Sequence, residues 1–451
     1  MNLISCRLGF LVCAAVSIGI VDLQQMVYAE PPGKAVLDQG AEWFARAEQA
    51  AVVVKDQEAR AMGWAMIAAG YARVENTAGY TRSLAIAKKE TAGIADPRVR
   101  MRVGFALIRA CFAADDVAEY PLAVEGAMAA RSEIKSERAR TDAAEPLAVM
   151  FAETGDLGKA LEVAKTGEPG FFLLRTYSKM AIGLAGIGAG DSYARCWKEV
   201  RTQSETMDAG PPRSTIEQNL VTAQCRAGDS AGAMLTAKSI SDADYRAESL
   251  LTIARAMIAA GDKDGARRAI EDAAIAAKQS LLTATSLLSD VAMAYAELGD
   301  KEMAMKLLGA RAADSAGNVT ALFCTAGAYA RLGDFESSGK FTTQAEEAVV
   351  DRVKTIHQPE GEFAARRRIV ARGFVGAGDY LRAMMAAQAI KGESVPAERP
   401  AMFAEVGTAM GKAGTKGTAV RWIDTMLEPE DVIYVAVGMA EGLKAGIPPV
   451  K

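Results

Sequence analysis

The sequence holds one histidine, His357, in 451 residues. Imidazole catalysis therefore has a single candidate, and the stretch from His357 to Glu362 carries Pro359 and Gly361, which reads as an exposed loop. Cysteine is as thin. Cys6 and Cys13 fall in the N-terminal segment, and Cys111, Cys196, Cys225 and Cys324 stand singly along the rest. Zinc sites draw on ligands at short spacing, so neither a metal nor a cofactor is expected. Disulfides belong to exported chains, but these thiols sit in separate helical patterns and read as small buried hydrophobes. If any two pair, Cys196 and Cys225 are the candidates, because their units are neighbours. Aromatics make up only 6%, and runs of β-branched residues are missing, which argues against a sheet. No basic stripe is present: 52 basic residues stand against 56 acidic ones, for a net charge of −4. A nucleic-acid partner is not expected, since phosphate binding needs a concentrated positive surface. The densest basic run, Arg366-Arg367-Arg368, reads as a solvated helix face.

Long apolar runs are also lacking. Leu8 to Val21 is apolar but short for a bilayer span. With Arg7 before it and Val27-Tyr28-Ala29 after it, this stretch reads as a signal peptide, residues 1–29, cleaved after Ala29. The expected compartment is periplasmic or extracellular, with no stable membrane insertion after cleavage.

What the sequence has is alanine, about one residue in five. Alanine is the best helix former and adds almost no volume, so the helices it makes can pack closely. It also has a repeat. Gly-Asp recurs at Gly155-Asp156, Gly190-Asp191, Gly228-Asp229, Gly261-Asp262, Gly299-Asp300, Gly333-Asp334 and Gly378-Asp379. Gly414-Thr415 continues the series, and weaker turns are expected near Gly70 and Ala114-Asp115. Glycine ends a helix in the left-handed conformation, and aspartate caps the next one. Small residues lock to the same frame: Ala148, Gly183, Ala254, Ala292, Ala326, Ala371 and Gly407 lie seven before the Gly. Ala160, Ala233, Ala266, Ala304, Ala383 and Ala419 lie four after the Asp position. A bulky residue often stands four before the Gly, as in Phe151, Met257, Tyr295, Tyr329, Phe374 and Met410.

This order of small residue, bulky residue, Gly-Asp turn and alanine resembles the tetratricopeptide repeat, most closely from Ala247 to Lys278 and from Thr285 to Ala316. The family's closing proline and early tryptophan are missing, and repeat lengths vary. The resemblance implies an all-α fold: an α-solenoid of roughly ten antiparallel helix pairs in a right-handed superhelix. The expected divisions are a signal peptide (1–29), an N-terminal helical cap (30–56), the solenoid (57–446) and a tail (447–451). Glu441 to Lys451, which ends on Pro448-Pro449, is expected to fray. The break at Gly210-Pro211-Pro212 is either a hinge or a longer loop.

Motifs of chemistry fail on context. Gly333 to Lys340 has five residues between its glycines where a phosphate loop has four, and no strand before it. Gly186-Ile187-Gly188-Ala189-Gly190 lacks the strand and spacing of a dinucleotide turn. Asn318-Val319-Thr320 is a glycosylation sequon. Carboxylate pairs such as Asp115-Asp116 and Glu346-Glu347 are expected on any charged helix surface.

In the tetratricopeptide architecture the first helix of each pair lines a concave face. The resemblance places Asn219, Thr222 and Arg226 there, then Arg255, then Asp290 and Met293, then Phe323 and Arg331, then Arg368 and Arg372. Arginine forks bind carboxylates, so a groove for an extended or acidic peptide is one expectation. The other is that these arginines pair within the solenoid and cover apolar surface with their stems. The resulting functional expectation is a non-catalytic exported scaffold with a protein or peptide partner. Two alternatives stand beside it. One is a carbohydrate-active enzyme on an α/α toroid. The other is an end-capping subunit of an envelope complex, which would show exposed apolar residues around Ile433 to Val437.

Overall fold

A computed structural model describes residues 34–280, 283–311, 318–356, 363–390, 398–415 and 418–445. The signal peptide, the His357–Glu362 stretch and the 447–451 tail lie outside the described residues. The described residues form helices and no strand. In chain order these are α1 Lys34–Val53, α2 Gln57–Arg73, α3 Thr77–Ala92, α4 Pro97–Ala113, α5 Glu119–Ser132 and α6 Glu137–Asp142. Then come α7 Ala144–Glu153, α8 Leu157–Ala164, α9 Phe171–Gly186, α10 Gly190–Ser204, α11 Pro211–Arg226 and α12 Ser230–Ser239. There follow α13 Ala243–Ala259, α14 Lys263–Gln279, α15 Ala284–Leu298, α16 Lys301–Arg311, α17 Val319–Leu332 and α18 Phe335–Ile356. The last are α19 Ala364–Ala377, α20 Tyr380–Gln388, α21 Glu398–Lys412, α22 Thr418–Met426 and α23 Pro429–Ala445.

Each pair is made by one local device. Gly261 takes φ +81°, in the left-handed region, and Asp262 accepts from the Gly265 N–H at 2.8 Å. The same glycine conformation recurs at Gly155, Gly228, Gly299, Gly333, Gly378 and Gly414. Asp156, Asp229, Asp300, Asp334 and Asp379 cap the helices that follow. The Gly-Asp reading is corrected in two places. The left-handed residue of the fourth turn is Gly188, and Gly190 already lies in α10. Gly70 is no turn: it is buried inside α2, and the turn falls at Glu75-Asn76. Glu75 and Asp115 adopt the left-handed conformation without being glycine (φ +63° and +55°). Each is followed by a capping Asn76 or Asp116. That is why the Gly-Asp pattern fades toward the N-terminus while the architecture continues.

The small residues do as their spacing requires. Ala160, Ala233, Ala266, Ala304 and Ala383 are fully buried where the second helix meets the first. All four described cysteines are free; Cys111, Cys196 and Cys324 are buried and Cys225 is half-buried.

The chain divides into two compact bodies. One comprises the described residues of Thr141–Glu360 with Arg372–Ala377. It stacks helix pairs from α7 to α18, with a continuous core through Val221, Leu251, Ile270, Leu288 and Tyr295.

The other body comprises the described residues of Asp22–Arg140, Gly361–Ala371 and Gly378–Lys451, and there the first and last described helices pack together. α1 packs against α23 in the position a second helix takes beside a first one. Phe44 of α1 stacks on Tyr71 of α2 with ring centroids 4.0 Å apart, and Gly70 leaves room for Phe44 and for Val437 of α23. Arg73 reaches Glu441 at 2.5 Å, and Lys444 reaches Glu75 at 3.2 Å. Arg46 pairs with Asp424. Glu441 to Ala445, expected to fray, is helical and tied to α2 by these pairs. α21 and α23 approach backbone to backbone: Gly407 and Gly411 face Gly438 and Gly442, and a methyl on any of them would strike the opposite main chain.

Candidate functional site

The first-helix face in the Thr141–Glu360 body carries a ladder of polar contacts, each rung joining one repeat to the next. Glu145 of α7 accepts from Arg175 Nε at 2.9 Å and Lys179 Nζ at 2.5 Å, both on α9. Ser178 of α9 accepts from Asn219 of α11 at 2.9 Å. Gln218 of α11 donates to Glu248 of α13 at 2.7 Å. Arg255 of α13 donates to Glu297 of α15 at 3.0 Å, and Cys324 of α17 donates to Asp290 of α15 at 3.1 Å. Helical periodicity alone puts these groups in register, because residues three and four apart share a helix face.

The electrostatics follow the partners. Burial pushes Glu145 up, but Lys179 and Arg175 outweigh it and hold the carboxyl below its usual range. Glu248 has no cation, so burial dominates its one amide bond from Gln218 and raises it, with Asp290 adding repulsion. Glu297 raises Arg255 against the opposing effect of burial.

The residues expected to line the groove separate into three groups. Asn219 and Arg255 are rungs of the ladder, and Thr222 returns its hydroxyl to the Gln218 carbonyl at 3.0 Å. Arg226 and Arg331 are neither saturated nor buried: neither makes an ion pair among the described residues. Arg331 lies across Gly376, where a side chain would collide with the guanidinium. Arg372 is exposed on the same body. Arg368 belongs to the other body, where it pairs with Glu398. Phe323 is corrected out of the groove: it is 1% exposed, because α17 is covered on nearly every side. Met293, 4% exposed, is core for the same reason on α15.

Sequence reasoning missed a second repeated device. Arg60 Nη1 donates to the carbonyls of Val54 and Lys55 at 2.8 and 3.2 Å. Arg100 does so to Ile94 and Ala95 at 2.8 and 3.0 Å, and Arg246 to Ile240 and Ser241 at 2.6 and 3.1 Å. Arg140 reaches Ile134 at 3.0 Å. In each case an arginine in the opening turns of a first helix closes the orphan carbonyls that end the preceding helix. Three of them also reach forward to the next second helix, at Glu90, Glu133 and Gln279. The signal was present as Ile or Val, one residue, Asp or Ser, three residues, Arg, at Val54, Ile94, Ile134 and Ile240.

No family model matches the chain, and no curated protein does. Solved structures align over long stretches at low similarity. Ton1535 from Thermococcus onnurineus NA1 has a TM-score of 0.26 and 15% identity, over 80% of this chain and 95% of that one. A Rap protein complexed with competence and sporulation factor has 0.32 and 12%, over 79% and 99%. A circular tandem repeat protein with novel repeat topology has 0.17 and 11%, over 89% and 97%. At these scores the likeness adds no argument to the one the chain itself supplies. Its glycine-ended first helices, Asp-capped second helices and alanine-lined contacts give it a helix-pair repeat fold that resembles the tetratricopeptide repeat.

Proposed function

We propose that the chain is an exported, non-catalytic interaction scaffold that receives a protein or peptide segment along its first-helix face. The observation that carries this reading is the pair Arg226 and Arg331. They sit on the same series of first helices as the ladder, yet they alone of its expected arginines in that body combine exposure or half-burial with the lack of any polar contact among the described residues. Rung cations such as Arg255 serve the solenoid; these two guanidinium forks are available to a carboxylate. Stacked repeats supply a long surface for such a partner.

The end-capping alternative needed exposed apolar residues around Ile433 to Val437. Ile433, Val435 and Val437 are at most 1% exposed, packed in the body that holds α1 and α2. The enzyme alternative needs a pair of carboxylates facing across a cleft; on the ladder Glu145 and Glu297 are engaged by cations, and Glu248 accepts from Gln218.

The test is site-specific photo-crosslinking in the host, with the crosslinker at Thr222 and, as a control, at exposed Ile275 on a second helix. A crosslinked partner from Thr222 that is lost in an Arg226→Glu/Arg331→Glu variant is the expected result. Crosslinks from Ile275 alone, or from Thr222 unaffected by the charge reversal, would move the surface elsewhere.

A further inference from the structure

One repeat departs from the solenoid's internal pattern at two positions at once, and it does so at a cleft. Counting back from each left-handed turn residue, the position four before it is Tyr71, Cys111, Phe151, Leu184, Met257, Tyr295, Tyr329, Phe374 or Met410 in nine turns. In the turn at Gly228 it is Gln224. Eleven before the turn, Trp64, Tyr177, Leu250, Leu288, Leu322 and Phe403 are large and apolar or aromatic, and Gly104 and Ala144 are small; the charged exceptions are Arg367 and, in the same repeat as Gln224, Glu217. Gln224 and Glu217 are 2% and 6% exposed. They floor a cleft of about 330 Å³, walled by α10 and α12 on either side of α11.

Two residues that line this cleft each bury a polar atom without a hydrogen-bond partner among the described residues: Gln224 Oε1 and Trp197 Nε1. A buried amide oxygen and a buried indole N–H are each destabilising when left open. An apolar residue at position 224 would cost nothing of the kind. A repeat that departs from its own pattern in the destabilising direction marks a site kept for a ligand. The charged groups of the cleft are engaged: Asp229 caps α12 by accepting from the Gly232 N–H at 2.8 Å, and the other four form two ion pairs. Arg213 donates to Glu217 at 2.9 Å and Arg201 to Glu205 at 3.0 Å. The Arg201 guanidinium also lies 5.1 Å from the Trp197 ring centroid. An ionic ligand would have to compete with one of these pairs or with the Asp229 cap. Hydroxyls, which both donate and accept, are the groups that suit an amide oxygen and an indole N–H, and they leave those contacts intact. Leu235, 74% exposed at the rim, gives an apolar edge for a carbon skeleton. We infer that the α10–α11–α12 cleft binds a small, neutral, hydroxyl-rich molecule, a monosaccharide or polyol, in a function separate from the first-helix face.

The chain from Glu30 onward is titrated calorimetrically and by saturation-transfer NMR with D-glucose, N-acetyl-D-glucosamine, trehalose and myo-inositol, with glycine and glutamate as charged probes. At least one neutral compound is expected to bind in the millimolar range or tighter. Gln224→Leu is the decisive variant. It restores the repeat's apolar position, so it should raise Tm by on the order of 2 °C while abolishing binding. Trp197→Phe should weaken binding about tenfold, the loss of one hydrogen bond. Three results would overturn the inference: no neutral compound binding, glycine or glutamate binding in their place, or a Gln224→Leu protein that still binds. A Gln224→Leu protein less stable than the parent would overturn it too, by showing that the amide serves the fold.

Discussion

Gly63 and Ile433 interlock across the two ends of the chain: a Cβ on Gly63 would stand 2.7 Å from Ile433 Cδ1. That distance is below any normal carbon contact, so the glycine is there for the isoleucine. Gly63→Ala should therefore cost about 1–3 kcal/mol through overpacking, less the fraction of a kcal/mol that alanine gains as a helix former. Ile433→Val removes Cδ1 and should cost about 1 kcal/mol alone. Combined, the two should cost less than the sum of their separate costs, with Gly63→Ala near neutral in the valine background. Chemical denaturation of the four proteins measures this coupling, and simple additivity would show that the ends do not meet here.

Because α1 supplies the second helix beside α23, removing it has a specific consequence. A chain beginning at Gln57 uncovers apolar surface around Phe44's partners Tyr71 and Val437. Exposed apolar patches of that kind drive association. The truncated chain should elute as a dimer or larger species, and a synthetic peptide of residues 34–55 should return it to monomer. A monomeric truncation with unchanged Tm would mean that α1 is only an appendage.

Most of the solenoid was legible because its punctuation is chemical. Gly261-Asp262 announces a left-handed stop and a capped start, and the structure realises both. Where the same geometry is made by Glu75-Asn76, nothing in residue type announces it, and the eye settles on Gly70, a packing glycine three helical positions short of the helix end. The meeting of α1 and α23 was not legible. Its partners are some 370 residues apart, and no local pattern states which two ends will find each other. The candidate groove was half legible. The frame placed Arg255 and Arg331 on first helices correctly. It could not say that Glu297 would occupy the first, or that α17 would bury Phe323.

The arginine that closes the preceding helix makes a sharper prediction than any surface ion pair. Arg246 joins two carbonyls to the Gln279 side chain. Arg246→Ala should cost about 1–3 kcal/mol, since it leaves the Ile240 carbonyl, at a residue 1% exposed, without its donor. Arg246→Lys should recover less than half, because one ammonium cannot span the fork's contacts. Equal stability of the alanine and parent proteins in urea would reduce the device to decoration.

Three thiols, Cys111, Cys196 and Cys225, should be inert in the folded chain. Burial pushes Cys111 up to about 11 and Cys196 and Cys225 up to about 12, so almost no thiolate exists at neutral pH, and the thiolate is the nucleophile. A thiol reagent at pH 8 should modify these three slowly in native protein and all of them at once in guanidinium. Rapid native modification of Cys196 would mean that α10 opens readily from α9.

Glu145 sets an acid limit on the ladder. Its folded pKa lies below the 4.5 of the free side chain, because Lys179 and Arg175 together overcome its burial. A carboxyl depressed in the folded state binds fewer protons there than in the unfolded chain. Its contribution is therefore fully present above about pH 5, and it drains away as pH falls through 4.5 and then through the lower folded value. Glu145→Gln removes that dependence. The variant should be less stable than the parent by about 1 kcal/mol at neutral pH, the scale of a partly exposed ion pair. The two stability curves should converge as pH drops below 4. Parallel curves across that range would show that the carboxylate and its two cations do not interact in solution, and the first rung of the ladder would have to be redrawn as two independent surface charges.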